Sequence, residues 1–195
     1  MNKISPGIYD FFMQPLEKKW FRSIREKLLS EAEGDVLEIG CGTGINFSLY
    51  RDVHSVTAID PNPLMMERSA ARLQQARVPI NCIIANAESL PFPDSSFDTV
   101  VATLVLCSIP NPEKALQELR RVLKPNGKAL FFEHVAMEIR WLRFLQDMLT
   151  PLWRRVCDGC HLNRHSQELI QKSGFRIVSV NGHWNNLFLE IRAEK

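Results

Sequence analysis

The chain has 195 residues, 45% of them hydrophobic, which suits one domain with a substantial core. Its 24 basic and 22 acidic residues leave a net charge of +2, which is too balanced to favour nucleic acid as a partner. Neither a long apolar segment nor a signal-peptide pattern is evident, so we expect a cytoplasmic protein. Five cysteines, an odd number, favour free thiols over a disulfide framework.

Apolar runs and helical patterns alternate along the chain. Five short runs rich in Val, Ile and Phe predict buried parallel strands at residues 35–40, 55–60, 80–85, 97–106 and 128–133. Helical spacing predicts helices at residues 62–77 and 112–123. Asn62 is the expected cap of the first helix, with Pro63 at its first position. The alternation predicts an α/β fold with an open, doubly wound sheet.

Two further apolar runs lie near the end of the chain, at residues 175–180 and 187–193, and an Asn181-Gly182 pair stands between them. Asn-Gly is a strong turn signal in antiparallel hairpins. We therefore expect a mostly parallel sheet with helices on both faces and an antiparallel hairpin at one edge.

A glycine-rich loop, Gly40-Cys41-Gly42-Thr43-Gly44, follows the first predicted strand and precedes an expected helix start. Glycines at alternate positions leave the backbone bare enough for a nucleotide-like ligand to press against it. Dinucleotide binding needs a small residue where this chain has Ile45, so it is the weaker interpretation. S-adenosylmethionine (SAM) is the other ligand to consider, and a plain turn without a ligand is the third alternative.

Polar residues at later strand ends favour SAM. Asp60 closes the second predicted strand 16 residues after Gly44, and a carboxylate there can accept hydrogen bonds from both ribose hydroxyls. Capping of the following helix is the alternative role of Asp60. Residues 86–92 follow the third strand, where a polar side chain can accept from an adenine amino group while Leu90 and Phe92 wall the ring. The alternative there is an ordinary polar loop.

Together these motifs resemble the class I SAM-dependent methyltransferases, and within them the group typified by ubiquinone and menaquinone biosynthesis enzymes. The matching stretches are residues 38–44, Asp60, residues 86–92, residues 96–98 and residues 121–127. The resemblance implies a Rossmann-like fold with a seven-stranded sheet, SAM as cofactor and S-adenosylhomocysteine as product. It also implies these cofactor-binding residues: Tyr9, Glu38, Gly40, Cys41, Gly42, Gly44, Asp60, Pro61, Asn86, Ala87, Glu88 and Leu104. The family usually has Asp where this chain has Asn86.

Residues 59–63, 103–108, 133–136 and 158–164 look like the mammalian methyltransferase-like proteins that methylate exogenous alkyl thiols. This second resemblance implies a small, lipophilic acceptor molecule, with a thiol favoured. Phospholipid or quinone methylation is the alternative, because bacterial relatives are often assigned those substrates. A SAM-binding protein without its own catalysis is a further alternative, since a fold does not by itself establish a reaction.

Two residues are candidates for a catalytic role near the acceptor. His134 stands just past the fifth predicted strand, and Asp158 lies beside Gly159 in one of the matching stretches. A histidine packed at a strand end is the alternative for His134. A plain turn residue is the alternative for Asp158.

We expect a single domain with four parts. Residues 1–34, with an aromatic-rich stripe that includes Tyr9, would cover the cofactor, residues 35–134 would bind it, and residues 166–195 would form the last helix and hairpin. Residues 135–165 would form a lid over the acceptor, with a helix that Pro151 kinks or breaks. A helix pair packed on the core is the alternative, and peripheral membrane contact is another, because arginines flank the apolar residues. Those arginines are Arg140, Arg143, Arg154 and Arg155.

The run Cys157-Asp158-Gly159-Cys160-His161 formally matches a c-type haem attachment site. That chemistry needs an exported protein, which the sequence does not favour. Zinc binding through Cys157, Cys160, His161 and His165 is a second alternative. Free thiols near an acceptor pocket, with no metal, are the expectation.

Overall fold

The computed structural model describes residues 20–156 and 159–195, which form seven strands and five α-helices. The strands are β1 (Asp35–Ile39), β2 (Ser55–Asp60), β3 (Ile80–Ile84), β4 (Phe97–Thr103), β5 (Leu123–His134), β6 (Arg176–His183) and β7 (Phe188–Glu194). The helices are α1 (Arg22–Leu29), α2 (Pro63–Leu73), α3 (Pro112–Val122), α4 (Arg140–Val156) and α5 (Ser166–Lys172).

All seven strands form one sheet in the order β3-β2-β1-β4-β5-β7-β6. The pairs among β1 to β5 are parallel, whereas β7 pairs antiparallel with both β5 and β6. The expected mostly parallel sheet with a terminal antiparallel hairpin is thereby confirmed. The strand order reverses between β1 and β4, and ligands of open α/β sheets bind at the carboxyl ends of strands at such a switch point.

Hydrophobic residues bury both faces of the sheet, which explains why the strand sequences are nearly continuous apolar runs. Along β1, Val36 packs into the core on one face and Leu37 into the core on the other. Leu116 of α3 belongs to the Leu37 side, while Leu28 of α1 belongs to the Val36 side. Helices therefore cover both faces, as the alternating pattern predicts.

Three local expectations were wrong. Residues 42–49 form successive turns, with Phe47 N–H donating to Gly44 O at 3.1 Å, where a helix start was expected. Strand β4 ends at Thr103, because Leu104 adopts a left-handed φ of 54° that extended backbone cannot continue. Strand β5 begins at Leu123 rather than near residue 128, so β5 follows α3 directly.

The hairpin turn also differs from the expectation. Asn181 and Gly182 lie inside β6, and the turn falls at residues 184–187. Trp184, Asn185 and Asn186 all have positive φ, between 51° and 62°. Trp184 stacks on Trp20 at 5.1 Å between ring centroids and packs against Phe188. Aromatic packing thus accompanies a turn that the local Asn-Gly signal does not indicate.

The sequence predicts that Pro151 kinks or breaks the helix that contains it. Helix α4 runs through Pro151 without a break. Proline removes the hydrogen bond to the carbonyl four residues earlier, here Asp147. Both residues are exposed, so water can satisfy that carbonyl. In the part of the chain that the structure describes, no helix is both long and apolar enough to cross a membrane.

Candidate active site

The glycine loop after β1 is bare on the side of the switch point. Gly40 has a φ of +62°, and a Cβ there would lie 2.0 Å from Val105 Cγ2, so only glycine fits. Gly42 has a φ of +55°, but no described atom lies within 4 Å of where its Cβ would be. Gly44 also has a positive φ, 79°, and packs under the Phe47 ring. The loop therefore presents open backbone at Gly42, which fits a ligand such as SAM.

Asp60 joins the loop to the end of β2. Its Oδ2 accepts a hydrogen bond from Gly42 N–H at 3.0 Å, and its Oδ1 accepts from Asn62 N–H at 2.8 Å. The cap of α2 is Asn62, whose side chain accepts from Leu64 N–H. Asp60 therefore does more than cap a helix, because it braces the backbone beside the open space at Gly42. Pro61, the next expected cofactor contact, is exposed.

The loop after β3 adjoins the same edge. Ala85 N–H donates to Asp60 O at 3.4 Å, which places the start of this loop beside the end of β2. Asn86 Oδ1 accepts from Glu88 N–H at 2.9 Å, and Glu88 Oε1 accepts from Asn111 N–H at 3.1 Å. Both side chains thus stabilise the loop backbone, and Ala87 between them is buried.

Glu38, expected as a cofactor contact, is fully enclosed beneath the glycine loop. Its Oε1 accepts from Asn46 Nδ2 at 2.7 Å and its Oε2 accepts from the Tyr50 hydroxyl at 2.9 Å. Burial raises the pKa of Glu38, although these hydrogen bonds act in the opposite direction. Arg25 donates to Asn46 Oδ1 at 3.0 Å and to Thr103 Oγ1 at 2.5 Å. The network therefore supports the loop from below.

Sequence reasoning missed this supporting network. Asn46 is eight positions from Glu38, but Arg25 reaches Thr103 across 78 positions. The local signal that was available is the polar Asn46 just after the glycine run. Nothing in the sequence indicates that Arg25 is its partner.

Two more expected cofactor residues are packed closely into the loop region. The Cys41 thiol is buried beside Met66 Sδ at 3.6 Å, and burial raises its pKa far above the ordinary value of a cysteine. Leu104, in its left-handed conformation, donates its N–H to Phe132 O at 2.7 Å. Leu104 thus turns the chain away from β4 at the point where the segment toward Cys107 begins.

Three side chains with reactive heteroatoms meet at the ends of β4 and β5. His134 Nε2 lies 3.0 Å from Cys160 Sγ, which in turn lies 3.4 Å from Cys107 Sγ. Cys107 is 2% exposed and Cys160 9% exposed, so bulk water has little access to either sulfur atom. His161 N–H donates to Cys107 O at 2.9 Å, which holds the segment after α4 against the loop after β4.

The three groups perturb one another's pKa values. The hydrogen bond with Cys107, and then that with His134, lowers the pKa of the Cys160 thiol to about 4. The hydrogen bond with Cys160, together with burial, raises the pKa of the Cys107 thiol. Burial acts to lower the pKa of His134, but the hydrogen bond to Cys160 outweighs it and the pKa is raised.

Glu133 braces the loop that carries Cys107. Its Oε1 accepts from the N–H groups of Val105 and Leu106, both at 3.0 Å. Burial raises the pKa of Glu133 to about 7. Arg164 supports the other side of the loop, since it donates to Leu106 O and, at 2.7 Å, to Ile109 O.

Helix α4 lies in the segment expected to form a lid. It packs against the rest of the protein through buried polar side chains on one side of the helix. Gln146 is buried and accepts from Met137 N–H at 2.8 Å while donating to Val135 O at 3.2 Å. Thr150, one turn later, is also buried. Most of the described apolar side chains of α4 are exposed, so they are not packed on the core. Tyr9 and Asp158, two of the expected site residues, lie outside the described residues.

The possible zinc ligands that meet in the structure differ from the four neighbouring residues considered as an alternative zinc site in the sequence. Cys160 joins Cys107 and His134, whose ligand atoms all lie within 4.8 Å of one another. His165 instead contacts Arg143. Cys157 lies outside the described residues.

The strand order β3-β2-β1-β4-β5-β7-β6 with an antiparallel β7 is that of the class I methyltransferase fold, and the glycine loop and Asp60 lie where that fold binds its cofactor. The family described as "Methyltransferase domain" matches residues 37–131. A SAM-dependent methyltransferase from Aquifex aeolicus has the same fold, with a TM-score of 0.72 and 18% identity, covering 98% of this chain and 99% of that one.

Curated relatives extend the comparison beyond the fold. Thiol S-methyltransferase TMT1B of Rattus norvegicus is 39% identical over an alignment of 180 residues that covers 86% of this chain and 70% of the relative. Thiol S-methyltransferase TMT1A of Homo sapiens is 37% identical over 172 residues, with the same coverage of 86% and 70%. The chain belongs to the class I SAM-dependent methyltransferase family, and it is an enzyme of that family that uses SAM.

Proposed function

We propose that this enzyme transfers the methyl group of SAM to the sulfur atom of a small, lipophilic thiol. The observation that carries the proposal is the meeting of Cys107, His134 and Cys160 at the ends of β4 and β5. Val105, two residues before Cys107, packs against Gly40 of the glycine loop. These residues come from the stretches that resemble thiol-methylating proteins. The similarity to curated thiol S-methyltransferases over 86% of the chain points to the same acceptor class.

The cofactor site we propose lies along the carboxyl ends of β1, β2, β3 and β4. The loop around Gly42 would bind the methionine end, Asp60 the ribose, and the loop at Asn86 the adenine. The full set of residues is Tyr9, Glu38, Gly40, Cys41, Gly42, Gly44, Asp60, Pro61, Asn86, Ala87, Glu88 and Leu104. Glu38 would act through Asn46, because both of its oxygens already have protein partners.

When bound, SAM supplies an electrophilic methyl group on a sulfonium, and the products are a methyl thioether, S-adenosylhomocysteine and a proton. The protein's part is to hold the acceptor sulfur in line and to exclude water, which can lower the barrier by about 7–11 kcal/mol. A thiol has a pKa of about 8.5 and is partly ionised near neutral pH, so it needs no strong base. His134, and Asp158 as a second candidate, would orient the acceptor sulfur.

A panel of acceptors tests the proposal. Purified enzyme with methyl-labelled SAM should methylate small alkyl and aryl thiols, and methylate them better the more lipophilic they are. The panel should also contain phenols, quinols and ethanolamine phospholipids at matched concentrations. Turnover on quinols or phospholipids but not on thiols would overturn the proposed acceptor class. SAM binding measured by calorimetry, with no turnover on any acceptor, would favour a SAM-binding protein without its own catalysis.

A further inference from the structure

The Cys107, His134 and Cys160 side chains, on which the proposed function depends, also form a set of possible metal ligands. Their ligand atoms come from three separate segments and lie within 4.8 Å of one another. Among the described residues, this is the group that brings Cys, His or carboxylate ligand atoms together in this way. We call it the Cys-His cluster.

The spacing of the Cys-His cluster suits a zinc ion. Zn–S bonds of about 2.3 Å and Zn–N bonds of about 2.0–2.1 Å in a tetrahedron place the ligand atoms roughly 3.6–3.8 Å apart. The sulfur atoms of Cys107 and Cys160 are 3.4 Å apart, and His134 Nε2 is 3.0 Å from Cys160 Sγ. Small outward rotations of the side chains would make room for the ion.

The chemistry of the ligands points the same way. Two cysteine sulfurs and one imidazole form a soft set that prefers zinc to magnesium or calcium. The surrounding backbone is also rigid: Glu133 holds the loop before Cys107, and a hydrogen bond from His161 N–H holds Cys107 O. A rigid site with three protein ligands and one open position is typical of catalytic zinc.

We propose that Cys107, His134 and Cys160 bind one zinc ion whose fourth position takes the sulfur of the acceptor thiol. The second half of this statement rests on the proposed function, and the first half does not. When the acceptor binds, its S–H bond breaks, the proton leaves to solvent, and the sulfur lone pair replaces a zinc-bound water. The thiolate is then held at the edge of the sheet where β4 and β5 end.

Measuring the metal content tests whether the Cys-His cluster binds zinc, without any assay of turnover. Enzyme purified without chelator should contain stoichiometric zinc by plasma mass spectrometry. Cys107→Ser and Cys160→Ser should each reduce the zinc content by roughly tenfold or more. Cys82→Ser, at a half-buried cysteine in β3 outside the Cys-His cluster, should leave it unchanged. A wild-type enzyme that binds SAM but retains no zinc after incubation with zinc chloride would overturn the proposal.

Cobalt substitution tests the fourth position. Cobalt(II) in a tetrahedral site with sulfur ligands should give intense visible bands and a sulfur charge-transfer band in the near ultraviolet. Addition of an alkyl thiol should increase the charge-transfer band, whereas the matching alcohol should not. An unchanged spectrum would overturn the acceptor role, and a Cys107–Cys160 disulfide found by mass spectrometry in freshly purified enzyme would overturn the zinc site. The zinc content remains a valid test of the metal site even if the enzyme methylates another acceptor class.

Helix α4 carries a second, independent inference. Its inward edge is polar, with Gln146 and Thr150 buried, while its apolar side faces outward. Five apolar side chains of α4 are each more than half exposed: Trp141, Phe144, Met148, Leu149 and Leu152. We call them the α4 apolar face. Soluble helices normally bury such a stripe, and a contiguous exposed one marks an interaction surface.

The charges beside the α4 apolar face indicate which partner it fits. Arg140, Arg143, Arg154 and Arg155 belong to the same helix, and Asp147 is its acidic residue. An amphipathic helix with aromatic and leucine residues on one side and arginines beside them is typical of helices that lie in the surface of an anionic bilayer. We propose that α4 docks on the headgroup region of an anionic lipid surface.

Vesicle binding tests this surface. The full-length enzyme should co-sediment with phosphatidylcholine vesicles that contain phosphatidylglycerol, and should do so less with pure phosphatidylcholine or at high salt. Phe144→Ser/Met148→Ser should weaken binding by roughly tenfold or more. Val178→Ser, at an exposed apolar residue of β6, is the matched control. Equal binding by the double variant, or a dimer that only the double variant disrupts, would overturn the proposal.

Discussion

The carboxylate of Asp60 accepts a hydrogen bond from the backbone N–H of Gly42 at 3.0 Å, so the end of β2 holds the middle of the glycine loop. The same carboxylate accepts from Asn62 N–H at 2.8 Å. Asp60 therefore shapes the loop, and in the proposed cofactor site it would also bind the ribose. We expect a change there to affect cofactor binding before it affects the chemistry.

Asp60→Asn should weaken SAM binding by about 10-fold to 100-fold, because hydrogen bonds to a charged group contribute about 1.5–3 kcal/mol each. The amide keeps the shape of the side chain but loses the charge and half of its acceptor capacity. Titration calorimetry with SAM measures the effect. Asp52→Asn, at an exposed residue, is the control and should bind as the wild type does. Unchanged affinity in Asp60→Asn would show that this carboxylate does not contact the ribose.

Gly40→Ala should mainly lower the stability of the protein, whereas Gly42→Ala should mainly weaken SAM binding. An alanine Cβ at residue 40 would lie 2.0 Å from Val105 Cγ2, so Gly40→Ala should unfold more readily. At residue 42 the strain of a positive φ costs about 1–2 kcal/mol, but the Cβ enters open space, so the main loss should be in SAM affinity.

Urea denaturation and calorimetry separate the two outcomes. Val105→Ala combined with Gly40→Ala should recover part of the lost stability, since it removes the clashing methyl groups. If Gly42→Ala bound SAM normally, the open space at Gly42 would not be the cofactor site.

Sequence patterns predict the parts of this site that are local. The glycine loop, the acid that ends β2 and the cap at Asn62 each depend on residues within a few positions of one another. The Cys-His cluster does not, because Cys107 and Cys160 are 53 positions apart and meet only after α4 folds back. The sequence favours free thiols and offers zinc only as an alternative among neighbouring residues, whereas Cys160 meets Cys107 and His134 in the structure.

The hairpin turn is a second feature that local sequence patterns predict wrongly. Asn181-Gly182 is a strong local turn signal, yet both residues lie in β6 and pair with β7. Trp184 instead begins the turn, packed against Phe21 and Phe188. A short stretch of sequence cannot predict an aromatic contact between residues as far apart as Phe21 and Trp184.

The acid stability of the protein should depend on Asp98. Its carboxylate accepts from Asp35 N–H at 2.9 Å and from Lys124 Nζ at 2.8 Å. Burial acts to raise the pKa of Asp98, but the hydrogen bonds with Lys124 and Asp35 outweigh it and the pKa falls below its ordinary value. The stability from this group is therefore present above about pH 4 and is lost as the pH falls through the lowered pKa.

Asp98→Asn should cost about 1 kcal/mol of unfolding free energy at pH 7, since the pair is partly exposed to solvent. The difference from the wild type should shrink as the pH approaches 3. Urea denaturation at several pH values measures both. A difference that stayed constant with pH would mean that the charge of Asp98 contributes nothing.

Asn46→Ala should loosen the glycine loop, because Asn46 links Glu38, an expected cofactor residue, to Arg25. The substitution removes hydrogen bonds to Arg25, Glu38 and Thr103, all of them buried. Losing these buried hydrogen bonds should cost about 1–3 kcal/mol, although Arg25 keeps Thr103 and Glu38 keeps Tyr50 as partners, and the loop above should lose its fixed shape. We therefore expect lower stability together with weaker SAM binding, whereas Asn163→Ala, which removes an exposed contact to Asp147, should change neither. If Asn46→Ala lowered stability but left SAM affinity intact, Glu38 and its partners would support the fold alone.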